Sequence, residues 1–212
     1  MIKAVIFDMD GTIGDTMPLI LRSFREAIEP RAGRSVSDDE LMATFGPSEE
    51  GTILAFIPEH FEEGVAAYIQ NYRTYHTEYP APFDGIKELL EYLKSKQIKI
   101  GLVTGKGAAG AAITMRQYGL ENVFDAIDTG VPEGPRKPEG LKVVLSQFGL
   151  EPDEAVYVGD APSDITACRK VGVPIISAAW ASTAEVQKLK EMNPDFTFES
   201  VAALSDYLKS VI

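Results

Sequence analysis

A chain of 212 residues with 45% hydrophobic and 25% charged side chains can bury a full core, as one domain or as one domain carrying a smaller one. Its net charge of −12 excludes a general nucleic-acid binder, so an anionic substrate must be held by a few placed cations or a metal. No apolar run reaches the roughly 18 residues of a membrane span, and the one cysteine, Cys168, cannot form an internal disulfide, so a cytoplasmic protein without a membrane partner is expected.

Residues 3–7 are an unbroken apolar run and predict a buried strand, which ends on Asp8 with a second carboxylate at Asp10. From Asp15 to about Pro80 the pattern turns helical. Thr16 or Asp15 can cap a helix with Pro18 in its first turn, and Leu19, Phe24, Ala27 and Ile28 form its apolar face. Further helices open at Ser37 and Ser48, and a longer one spans roughly 61–78. Tyr68, Tyr72, Tyr75 and Tyr79 fall at three- and four-residue spacing and predict packing positions. His60 and His76 read as surface residues; with one cysteine and two histidines there is no zinc pattern.

Strands and helices then alternate. Helices are expected at 86–96, to about Tyr118, at 138–148, 163–171 and near 183–191, with a last one closing the chain. Strands are expected at 98–104, in "FDAIDTG", at 155–160 and 174–178, with an edge strand in "DFTFES". Such alternation means an α/β fold: a Rossmann-like, doubly wound parallel sheet, here with a small all-helical cap inserted after strand 1. The expected boundaries are 1–14 and 82–212 for the core and 15–81 for the cap. Function in such sheets lies at the carboxyl ends of the strands.

Those ends collect polar groups: Asp8 and Asp10, Thr104, Lys137 before a helix, and Asp160 with Asp164 four residues on. Several carboxylates at one sheet edge repel strongly. A divalent cation resolves this, and an all-oxygen set favours Mg²⁺ over Zn²⁺. Taken singly, each residue has a plainer reading: Asp10-Gly11 as a turn, Thr104, Asp160 or Asp164 as helix caps, Lys137 as a solvated surface residue.

In order, "DMDGT", a Thr ending the second apolar strand, an isolated Lys before Pro and "GDAPSD" resemble the four motifs of the haloacid dehalogenase-like phosphohydrolase superfamily. The helical insert after the first motif is similar to the phosphoglycolate phosphatase and β-phosphoglucomutase branch. The resemblance implies a Mg²⁺-dependent phosphatase acting on a small phosphorylated metabolite through an aspartyl-phosphate. It implies Asp8 as nucleophile, Asp10 as acid and base, Thr104 with Gly105 and Lys137 at the phosphate, and a metal held by Asp8, the backbone carbonyl of Asp10, Asp160 and, directly or through water, Asp164. A phosphomutase or a pyrophosphatase is a close variant. Phosphonoacetaldehyde hydrolase chemistry is disfavoured, since no lysine occurs between Lys3 and Lys87. Dehalogenase chemistry is disfavoured too, those relatives lacking the acid of the Asp10 position. Gly14 and Gly105 depart from the usual pattern of larger or amide side chains; Gly14, at the entry to the cap, has no evident role in the sequence.

"GKGAAG" at 105–110 is also a literal G-x-G-x-x-G between a strand and a helix, with Asp125 twenty residues beyond Gly105. A NAD-binding oxidoreductase is therefore the reading from another class, although it leaves the carboxylates unexplained. A partner-binding fold without catalysis is a third, against which the intact motif positions weigh. Residues 15–81 hold twelve acids and five arginines, so an anionic leaving group would need Arg22, Arg25, Arg31, Arg34 or Arg73 individually. The loop "FGPSEE" resembles the cap segment that approaches substrate in relatives. Oligomeric state is not readable.

Overall fold

A computed structural model describes residues 1–212. The chain runs β1 (Ala4–Phe7), α1 (Met17–Ala32), α2 (Asp38–Met42), α3 (Glu49–Phe56), α4 (Phe61–Tyr75), α5 (Ile86–Ser95), β2 (Lys99–Gly107), α6 (Ala108–Tyr118), β3 (Ala126–Gly130) and α7 (Lys137–Phe148). It continues through β4 (Ala155–Gly159), α8 (Pro162–Val171), β5 (Ile175–Ala178), α9 (Val186–Met192), β6 (Thr197–Phe198) and α10 (Val201–Val211). The six strands form one sheet in the order β3-β2-β1-β4-β5-β6, and every pairing is parallel.

The unbroken apolar run of β1 follows from its central place, because both of its faces are covered. Val5 and Phe7 join the apolar cluster that contains Leu102, Val158 and residues of α5 and α10. Ala4 and Ile6 point the other way, among Val103, Tyr157 and Leu141, Val144 and Leu145 of α7. This alternation is the period-two geometry of a strand between two helix layers. The chain leaves β1 toward β2 and β3, then returns to the other side of β1 with β4. The ends of β1 and β4 thus border the switch point at which open α/β sheets bind ligands.

Helices α1–α4 carry a separate apolar cluster, built from Leu19, Phe24, Ile28, Leu41, Ile53, Tyr68 and Tyr72 among others. The predicted face of α1 is inside it; of the four tyrosines, Tyr68 and Tyr72 are inside, stacked at 5.7 Å between ring centres, while Tyr75 and Tyr79 lie half-buried against it. Three expectations change in detail. The fourth helix stops at Tyr75 and tightens into a 3₁₀ turn at His76–Glu78. The edge strand shrinks to two residues. Strand β2 runs three residues past Thr104, with a shift of register against β3 between Val103 and Gly107.

His76 is not at the surface but fully buried. Its ring lies edge-on to Tyr72 and Tyr118, at 5.3 and 5.1 Å between centres, and Nε2 lies 3.0 Å from Thr114 Oγ1. Burial lowers its pKa, so the ring is held neutral where α4 meets α6. His60 is exposed, as expected.

Candidate active site

The first turn after β1 places two carboxylates in different surroundings. Asp8 is buried, its Oδ1 accepting the Met9 amide at 2.7 Å and its Oδ2 accepting Lys137 Nζ at 2.7 Å. The chain then reverses at Gly11, whose φ of 76° is the left-handed region that favours glycine. A Cβ there would also overlap the Asp160 carboxylate, so the glycine lets the turn press against the end of β4. Thr12 Oγ1 donates to Asp160 Oδ1 at 3.2 Å across the same contact.

Asp164 is the third residue of α8, completely buried, with Oδ2 accepting the Ala161 amide at 3.1 Å. Its Oδ1 is ion-paired with Lys137, which therefore bridges Asp164 and Asp8. Lys137 opens α7, and the preceding loop is tied down by Arg136, which donates to Asp128 Oδ2 at 2.6 Å and to the Thr129 carbonyl at 3.1 Å. Carboxylate oxygens of Asp8, Asp160 and Asp164 all lie within 4.8 Å of one another.

Three acids against one lysine are electrostatically unbalanced. Burial pushes Asp8 up to about 6, against the pull of Lys137. Burial, then the charges of Asp8 and Asp164, hold Asp160 well above the usual carboxylate range. Burial alone would lower Lys137, but Asp164 and Asp8 win and keep it firmly protonated. A divalent cation among these oxygens would remove the repulsion, and a set of carboxylates without His or Cys suits Mg²⁺ chemistry. The donor set fits the expected metal. The Asp10 side chain is outside this set, leaving its carbonyl as the group it has to offer there.

Asp10 turns toward the start of α1 and the end of β2 instead. Its Oδ1 accepts Thr16 Oγ1 at 2.5 Å, and its Oδ2 accepts Lys106 Nζ at 3.2 Å. Thr104 is buried at the bend of β2, its Oγ1 accepting the Lys106 amide at 3.2 Å. Gly105 lies between the loop before α3 and β3: a Cβ on it would come 3.8 Å from the Gly46 carbonyl, and its own carbonyl faces Gly130. Gly14 has a steric explanation. A Cβ at that position would overlap the hydroxyl of Tyr118, while its own carbonyl accepts the Gly11 amide at 2.9 Å.

The structure thus brings Asp8, Lys137, Asp160 and Asp164 into one cluster and puts Asp10 beside Thr16 and Lys106, with Thr104 against the Lys106 amide. Sequence reasoning did not foresee the contacts made by Lys106, Glu49, Thr12 and Thr16. Lys106 has a side chain only 1% exposed, lies 3.5 Å from Glu49 Oε1 and sits 4.4 Å above the Tyr72 ring. The available signal was a lysine between glycines directly after a buried strand. Four of the five arginines in 15–81 are ion-paired with acids of the same segment. Arg22 pairs with Glu26 and Glu78, Arg25 with Asp38, Arg31 with Glu63 and Arg34 with Glu40.

Residues 5–178 match the family model described as haloacid dehalogenase-like hydrolase. The pyrophosphatase PpaX of Bacillus pumilus is 30% identical over 209 residues, covering 96% of this chain and 94% of that protein. The crystal structure of CbbY from Rhodobacter sphaeroides shares the fold, with a TM-score of 0.80 at 22% identity and 96% of each chain covered. A haloacid dehalogenase-like family protein of Streptococcus pneumoniae superposes with a TM-score of 0.77 at 24% identity, covering 98% of each chain.

Proposed function

Because the chain belongs to the haloacid dehalogenase-like hydrolase family, we propose that it is a Mg²⁺-dependent phosphatase that hydrolyses a small phosphorylated metabolite through an aspartyl-phosphate on Asp8, in the manner of phosphoglycolate phosphatases. The observation that carries this reading is the convergence of Asp8, Asp160 and Asp164 around Lys137, with Asp10 held apart from them. Residues 15–81 act as a cap over a core made of 1–14 and 82–212. The apolar cluster of α1–α4, separate from those of the sheet, supports that division.

Asp8 attacks phosphorus, forming the acyl phosphate as the ester P–O bond breaks. Asp10 gives its proton to the departing oxygen. It then takes a proton from the water that attacks phosphorus, releasing inorganic phosphate and restoring the Asp8 carboxylate. Two different environments suit these two roles. Asp8 is backed by a lysine ammonium and a backbone amide, while Asp10 is positioned by Thr16 and Lys106. Lys137 offsets charge on the nucleophile and on the phosphoryl group, and Thr104 with the Gly105 turn offers hydrogen bonds to phosphoryl oxygen. Asp8, Asp160, Asp164 and the Asp10 carbonyl would hold Mg²⁺, which supplies charge neutralisation at the phosphoryl oxygens.

A pyrophosphatase is the second reading, favoured by the activity named for the Bacillus pumilus relative. A phosphomutase differs only in passing the phosphoryl group to a sugar hydroxyl rather than to water. The test is phosphate release from an aryl phosphate with Mg²⁺. Asp8→Asn should lower it by about a thousandfold or more, as loss of a nucleophile does; a wild-type rate in that variant would sink the mechanism.

A further inference from the structure

The glycine-rich turn at 105–110 has the form of an anion site. Gly107 caps the eleven-residue helix α6 with its amide free of the helix ladder, and the buried Lys106 ammonium is one residue away. The turn already has an occupant from the chain itself. Glu49, the first residue of α3, inserts its carboxylate so that Oε2 accepts the Gly107 amide at 2.5 Å. A Cβ at Gly107 would crowd Oε2, and one at Gly110 would overlap Oε1. The second and third glycines of the apparent dinucleotide fingerprint therefore make room for a protein carboxylate.

Glu49 is buried and its seat is built rather than incidental. The loop before it is anchored by the Ser48 amide, which donates to the Val131 carbonyl at 2.9 Å. A Cβ at Gly51 would approach the Pro132 carbonyl to 2.8 Å. Glu49 Oε1 accepts no hydrogen bond, and its nearest cation is Lys106 Nζ at 3.5 Å. The same ammonium donates to Asp10 Oδ2 at 3.2 Å. One lysine is thus shared between Glu49 and the residue that meets the leaving oxygen.

A leaving group must present its oxygen to Asp10, so the remainder of that group lies on the Lys106 side of the site. If the remainder is itself an anion, it meets a cation already engaged by two carboxylates, Asp10 and Glu49, and brings a third negative charge beside them. Like charges brought together in a buried setting repel strongly. We propose that Glu49 determines specificity: by filling the anion-binding turn of Gly107, Gly110 and Lys106 beside Asp10, it favours phosphomonoesters with an uncharged leaving group over those whose leaving group carries its own negative charge. This rests on the phosphatase reading above and narrows it, placing phosphoglycolate and pyrophosphate among the poorer substrates.

The test compares kcat/KM with Mg²⁺ for ethyl phosphate, phosphoglycolate and pyrophosphate in wild type, Glu49→Gln and Glu49→Asp. Ethyl phosphate and phosphoglycolate differ by a methyl group against a carboxylate, which isolates the charge. Wild type should prefer ethyl phosphate. Glu49→Gln should raise the phosphoglycolate-to-ethyl-phosphate ratio about tenfold, with pyrophosphate following, while Glu49→Asp stays near wild type. Loss of folded protein lowers all rates together and leaves the ratio unmoved. An unchanged ratio in Glu49→Gln, or a wild type that uses phosphoglycolate or pyrophosphate as well as ethyl phosphate, overturns the assignment while leaving a working phosphatase. Absence of phosphate release from every compound would strike the phosphatase reading itself, and this one with it.

Discussion

Two clusters of acid and lysine lie side by side at the carboxyl edge of the sheet, and they are completed in opposite ways. Around Lys137, three core carboxylates face one another with a single ammonium between two of them. Around Lys106, Asp10 and Glu49 share an ammonium, a backbone amide, the Thr16 hydroxyl and the face of Tyr72. The first has more negative charge than the protein itself answers. The second has one ammonium for two carboxylates, and hydrogen bonds from the sheet and the helical insert answer all but Glu49 Oε1. The difference teaches that a surplus of buried charge facing itself marks the place for an external cation, whereas carboxylates held mainly by the chain's own donors mark an internal junction.

This contrast can be broken at several points. The largest effect is expected from Lys137→Met, which should lower kcat for phosphate release by about a hundredfold to a thousandfold, the usual loss when a preorganised charge at a developing anion is removed. Steady-state rates on protein with a wild-type circular dichroism spectrum would check it, and a loss under threefold would show that Lys137 is structural only. Next in size is the response to metal. Saturating Mg²⁺ should raise the wild-type melting temperature by on the order of 5–10 °C at about a hundred times its dissociation constant, and Asp160→Asn should lose most of that shift. An equal shift in both proteins would remove the cation from this cluster.

Gly14→Ala tests the junction from its other side. Its Cβ overlaps the Tyr118 hydroxyl, so denaturant unfolding should show a loss of about 1–3 kcal/mol, as for an overpacked core. Wild-type stability would mean that Tyr118 can move away. The smallest effect is in pH. Asp8 titrates near 3.8 when unfolded and is pushed up to about 6 in the folded protein, so between those values the folded state holds a proton that the unfolded state has released. Without Mg²⁺, wild-type stability should therefore fall relative to Asp8→Asn as pH rises from about 4 to about 6, and added Mg²⁺ should offset the fall. Parallel stability curves for the two proteins would contradict the assignment.

Much of this site was legible in the chain. An apolar strand that stops on two acids, a second one that stops on Thr104, and a third followed by Asp160 and Asp164 are patterns of hydropathy, and parallel topology brings such ends to one edge. His76 was not legible, because its burial depends on Tyr72, Tyr118 and Thr114 closing around it from two helices. Which acids pair with the arginines of α1 was not legible either, because Glu78 and Asp38 come from other segments of the chain. Gly14 had no reason in the sequence, since the side chain it makes room for is 104 residues away.

By itself the sequence determined the alternating α/β architecture, the helical insert after β1 and the acids at the strand ends, because these rest on periodicity and on the end of a local apolar run. Only the tertiary structure decided that Asp8 and Asp10 occupy different electrostatic settings, and that the glycines of 105–110 enclose Glu49. The physical reason is that charge balance and steric room are sums over neighbours distant along the chain. Local pattern specifies where a side chain begins, but packing specifies what it meets.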